Sequence, residues 1–129
     1  MLTEDTITKI SELCERFPKV KLLYLFGSQA KGAAGPLSDY DFSVYIAPEE
    51  SSDPFLLPEL GAKLSKILNS DKIDICDLAK LDAPELAYEI INGELLYEVE
   101  PYKMLIEPFI MNIYFDFKMG LRNNFLTKD

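Results

Sequence analysis

Histidine is absent from these 129 residues, and only two cysteines occur, Cys14 and Cys76. Without an imidazole there is no Ser-His or Cys-His nucleophile pair and no histidine-containing zinc site, and two isolated thiols make no disulfide framework. Both thiols are expected to be reduced core residues. Positive charge is also scarce: 13 Lys and Arg against 22 Asp and Glu leave a formal charge of −9. That balance argues against direct nucleic-acid binding, which rests on a basic face, and favours a basic or apolar protein surface as macromolecular partner. No apolar run approaches the roughly 20 residues of a membrane span, and the N-terminus lacks the basic and apolar blocks of a secretory signal. A cytoplasmic location without membrane attachment is therefore expected.

What the chain does have is a paired motif. Gly27-Ser28 is followed, after ten residues, by Asp39-Tyr40-Asp41, with the apolar run Leu22-Leu23-Tyr24-Leu25-Phe26 leading in and Phe42-Ser43-Val44-Tyr45-Ile46 leading out. The pattern predicts a strand, a tight turn and a second strand. A Gly-Ser turn lets backbone N–H groups approach an anion closely, because glycine has no Cβ and the first amides of a following helix point outward. Carboxylates at i and i+2 of a strand share one face, where they can bind one or two hard divalent cations. Together the halves describe a site for a metal-bound nucleoside triphosphate. The competing structural explanation makes Gly27 the punctuation of a βα turn, Ser28 a helix cap, and Asp39 and Asp41 turn residues after Pro36.

The segment LYLFGSQAKGAAGPLSDYDFSVYI, residues 23–46, resembles the minimal nucleotidyltransferase (MNT) family of the DNA-polymerase-β-like nucleotidyltransferase superfamily. The family pattern is Gly-Ser, a basic residue within the next few positions, Gly, a variable loop, Ser-Asp-x-Asp and an apolar strand. Lys31 and Gly32 fit it, whereas Gln29 stands where Arg is common, which removes one expected phosphate contact. Weaker resemblance continues through Ala83–Ala87 and Asn92–Glu98, so it covers roughly residues 20–98.

The resemblance implies an α/β fold with a small mixed sheet flanked by helices, Mg²⁺ as cofactor and ATP as substrate. It assigns Asp39 and Asp41 to the metal, Gly27, Ser28 and Lys31 to the triphosphate, and a third carboxylate to the second metal and the attacking hydroxyl. In Lys72-Ile73-Asp74-Ile75-Cys76-Asp77-Leu78, strand alternation leaves Asp74 and Asp77 as rivals on opposite faces; the family register selects Asp74. Small MNT proteins are commonly antitoxins of HEPN ribonuclease toxins and transfer AMP from ATP to a toxin tyrosine. The alternatives are adenylylation of a small-molecule hydroxyl, as in aminoglycoside nucleotidyltransferases, which carry a larger additional domain, and an antitoxin that acts by binding alone.

Length and pattern suit one domain over residues 1–129, with a catalytic core at about 20–98 and a C-terminal helical segment at about 101–126. Ile7, Ile10, Leu13, Cys14 and Phe17 predict a first helix ending before Pro18. Beyond the two motif strands, 21–26 and 42–47, Pro48 to Pro58 reads as a mobile acidic surface loop. Leu56, Leu60, Leu64, Ile67 and Leu68 mark a helix, followed by a strand at 72–78, a helix at 84–92 and a strand at 94–99. From Pro101 onward the chain is apolar on most sides of a helix. Such a segment is either a core helix bent at Pro108 or a homo- or hetero-oligomeric interface.

Overall fold

The computed structural model describes residues 2–32, 39–50 and 53–127, with side chains through Gly120. The Gly32–Ser38 loop expected between the motif halves and Ser51-Ser52 of the acidic loop fall wholly or mostly outside the described residues. The elements are α1 (Glu4–Glu15), β1 (Val20–Phe26), α2 (Gly27–Ala30), β2 (Tyr40–Ile46), α3 (Leu56–Leu68), β3 (Ile73–Asp77), α4 (Pro84–Ile91), β4 (Glu94–Glu98) and α5 (Tyr102–Thr127), with 3₁₀ turns at Pro48–Glu50 and Leu78–Lys80.

One four-stranded sheet has the order β3-β2-β1-β4. β1 runs antiparallel to β2 and β4, whereas β2 and β3 are parallel and joined through α3, the crossover that parallel pairing requires. Helices cover both faces. On one, α1 and α3 place Ile10, Leu13, Leu60 and Leu64 against Val20, Leu23, Leu25, Phe42 and Val44. On the other, Ile90, Ile91 and Ile110 of α4 and α5 pack with Leu22, Tyr24 and Leu78. Burial from both sides explains why Leu22 to Leu25 show no polar alternation. Cys14 is fully buried and Cys76 partly so, both as free thiols; burial pushes the Cys14 thiol up to about 12.

Local signals set the helix ends. The Thr3 hydroxyl accepts the Thr6 amide at 3.2 Å, capping α1, with Glu4 and Asp5 in its positive first turn. α4 opens with Pro84, whose missing N–H costs nothing there. It stops at Asn92-Gly93, and Gly93 is packed so tightly that a Cβ would lie 2.4 Å from the Leu25 carbonyl oxygen and 3.2 Å from the Phe26 Cα. The end of α4 is thus seated on the last residues of β1. Gly93→Ala must pry two backbones apart, at about 3 kcal/mol; thermal unfolding should show a drop of roughly 10 °C.

One face of α5 packs into the core and the other is exposed and apolar. Tyr102, Ile106 and Ile110 pack into the second core, and the buried Tyr24 hydroxyl donates to Glu107 Oε2 at 2.7 Å. Burial, with the Glu107 carboxylate behind it, pushes the Tyr24 phenol well above its ordinary range. The outward positions Met104, Leu105, Phe109, Ile113, Phe115 and Met119 are exposed. Pro108 lies inside the helix. Among the described residues no helix is long and apolar enough to cross a membrane.

Candidate active site

β1 ends at Phe26, paired with Asp41 of β2, and the chain turns at once through Gly27. With φ at +76°, Gly27 occupies the left-handed region, and a Cβ there would stand 2.6 Å from Asp41 Oδ2. Glycine alone lets the backbone of this turn lie against the carboxylate. The first amides of the short α2 have no intrahelical acceptor, while the Lys31 amide closes the turn on the Gly27 carbonyl at 3.2 Å. Ser28 is partly buried and Lys31 exposed. Gln29, which occupies the usual Arg position, is buried.

Across the parallel β2–β3 pair, Asp41 is in register with Asp74. Residues paired in this way share a face, on strands only about 4.8 Å apart. Asp39 lies two residues earlier, just before β2, and is exposed like Asp74. Asp41 has its carboxyl raised above the usual carboxylate range, first by burial and then by the charges of Asp74, Asp39 and Glu89. The three acids proposed from sequence are thus electrostatic neighbours at one end of the sheet, beside the Gly27 turn. Asp77 is elsewhere: it pairs with Val44, is buried, and accepts the Ala79 amide at 3.0 Å to cap a 3₁₀ turn.

Glu89 is the acid that sequence reasoning missed. It comes from α4, which folds over the end of the sheet, and no spacing rule links it to Asp41. Together with Gly27, Lys31, Tyr88, Asn92 and Glu94 it lines a cleft of about 420 Å³ beside the carboxylates.

Among the described residues no three acidic side chains converge closely enough to cage a cation by themselves. Mg²⁺ carried by a nucleotide does not need such a cage, since one or two carboxylates hold it while water and phosphate oxygens fill the other positions. The residues fit that role. They offer hard oxygen donors, are in no ion pair among the described residues, and repel one another until a cation joins them.

Residues 8–102 match the family described as Polymerase beta, Nucleotidyltransferase. The chain belongs to this family, as a minimal nucleotidyltransferase. It is 34% identical over 110 residues to the protein adenylyltransferase MntA of Aphanizomenon flos-aquae (strain 2012/KM1/D3), covering 74% of this nucleotidyltransferase and 73% of that protein. To MntA of Shewanella oneidensis (strain MR-1) it is 33% identical over 96 residues, covering 74% of the chain and 66% of the relative; the chain thus spans just under two thirds of the Shewanella protein's length. A chain in a crystal structure of a toxin–antitoxin with AMP-PNP superposes with a TM-score of 0.72 at 27% identity, over 94% of both chains. The fold expected from sequence, a mixed sheet flanked by helices, is the fold observed, and the C-terminal segment forms a long helix.

Proposed function

We propose that this nucleotidyltransferase is an antitoxin that transfers AMP from ATP to a tyrosine hydroxyl of a cognate HEPN toxin in the cytoplasm. The observation that carries the proposal is the in-register placement of Asp41 and Asp74 against the Gly27 turn. Support for the acceptor comes from the MntA relatives, named protein adenylyltransferases, and from the likeness to a chain of a toxin–antitoxin structure containing an ATP analogue.

In this mechanism the turn amides and the Ser28 hydroxyl hold the distal phosphates, and Lys31 adds positive charge beside them. Asp39 and Asp41 hold Mg²⁺, and Asp74 completes a second cation position and orients the incoming hydroxyl. Bound Mg²⁺ supplies charge neutralisation for the triphosphate and the departing pyrophosphate. A bond forms between the tyrosine oxygen and the α-phosphorus, the bridging bond to the β-phosphate breaks, and the phenolic proton leaves to solvent. Alignment and charge carry the rate, with no covalent intermediate on the protein. Label from ATP marked at the α-phosphate should enter the toxin, and label at the γ-phosphate should not. Equal incorporation of both would contradict the mechanism.

The toxin docks on the outer face of α5. That helix carries exposed Leu105 and Phe109, and its Tyr114 stacks on Tyr88 of the cleft. Phe109→Asp should weaken toxin binding by about 30-fold, the scale of an interface anchor, while ATP affinity stays unchanged; titration of toxin against the variant checks both.

A further inference from the structure

Besides Gly27 and Lys31, assigned above to phosphates, the cleft beside the carboxylates is lined by Tyr88, Glu89, Asn92 and Glu94, of which the transfer mechanism makes no use. The Tyr88 ring is held from behind: Tyr114 lies parallel to it with centroids 4.0 Å apart, and Phe115 meets it edge-on at 5.9 Å. A tyrosine of α4 stacked on α5 in this way is a fixed aromatic wall. The Asn92 side-chain amide donates to the Tyr88 carbonyl at 2.8 Å, which leaves its own oxygen as an acceptor. Glu89 and Glu94 are acceptors when ionised.

An aromatic wall flanked by acceptors repels a second anion and suits a flat, neutral group rich in N–H and O–H donors. The volume, about 420 Å³, lies within the usual range of small-molecule sites, roughly 300–1,000 Å³.

Resting on the transfer mechanism above, we propose that these residues seat the nucleoside of the donor, with the base against the Tyr88 ring and the ribose hydroxyls donating to the Glu89 carboxylate. Tyr88 is then a determinant of nucleotide affinity, held in place by Tyr114, and Glu89 favours ribonucleotides over 2′-deoxynucleotides.

The test is equilibrium binding of ATP in Mg²⁺ buffer to the full chain and to Tyr88→Ala and Tyr88→Phe, with inorganic tripolyphosphate as competitor. Tyr88→Ala should bind ATP about tenfold more weakly, as loss of a base–aromatic contact does, and Tyr88→Phe should restore most of the affinity. Tripolyphosphate should compete at the same concentrations in all three, because the phosphate-binding residues are intact. Unchanged ATP affinity in Tyr88→Ala, or a parallel loss of tripolyphosphate binding, overturns the seat. A wild type that binds ATP through Tyr88 yet transfers no label supports the seat and contradicts the transfer mechanism; transfer with unchanged affinity in Tyr88→Ala does the reverse.

Discussion

Replacing Asp41 by Ala should abolish AMP transfer, a fall on the order of 10³-fold or more, while the chain remains folded. In the proposed mechanism several kcal/mol of transition-state stabilisation would depend on cation charge held at this position, and each 1.4 kcal/mol or so is a decade in rate. Asp41 is the hub: Asp74 faces it in register, Asp39 precedes it by two residues, and the Gly27 turn lies against it. Its folded-state pKa is raised by burial and like charge, so when ionised at neutral pH it opposes folding rather than supporting it. Asp41→Ala should therefore leave thermal stability in metal-free buffer unchanged or slightly higher, and Mg²⁺ with ATP should stabilise the wild type but not the variant. Asp39→Ala is expected to abolish transfer likewise, and chelation of divalent cations should silence the wild type. Near wild-type turnover in either variant contradicts the assignment; turnover and melting curves measured together check it.

Gly27→Ala should cost about 100-fold in turnover by a different route. An alanine at φ +76° is strained, and its Cβ would sit 2.6 Å from Asp41 Oδ2, so either the turn or the carboxylate must move. Left-handed strain costs about 1–2 kcal/mol, roughly 5 °C in Tm for a chain of this size. The larger effect is on chemistry, since a shift of about 1 Å in reacting groups can cost 10²-fold. Because Gly27 acts through Asp41, the Gly27→Ala/Asp41→Ala double variant should be no slower than Asp41→Ala alone. Kinetics of the three variants decide it: additive losses would mean that the turn and the carboxylate act independently.

The motif halves were legible in the sequence because turn chemistry and strand parity are local. Gly27-Ser28 and Asp39-x-Asp41 need only their own spacing to be recognised, and the flanking apolar runs place them at strand ends. The choice between Asp74 and Asp77 was not legible from residues alone. Parity puts them on opposite faces, and it is β3 pairing in parallel with β2 that sets Asp74 beside Asp41. Glu89 and the Tyr88–Tyr114 pair were hidden for a stronger reason, since the fold brings distant segments together and no periodicity records that. Gln29 read as a missing arginine, and its burial is not visible from a polar residue type in a turn. In α5 the packed stripe Tyr102, Ile106 and Ile110 follows helical spacing, yet apolar neighbours on the exposed side masked it. Those neighbours break the usual rule of polar outer faces, which is why composition left core and interface undivided.

The most direct measurement is the intact mass of the cognate toxin after incubation with this nucleotidyltransferase, ATP and Mg²⁺, alongside the Asp39→Ala/Asp41→Ala double variant. The account predicts an AMP-sized gain, located on tyrosine, with the wild type alone. No gain despite a stable complex, or the same gain with the double variant, would contradict it.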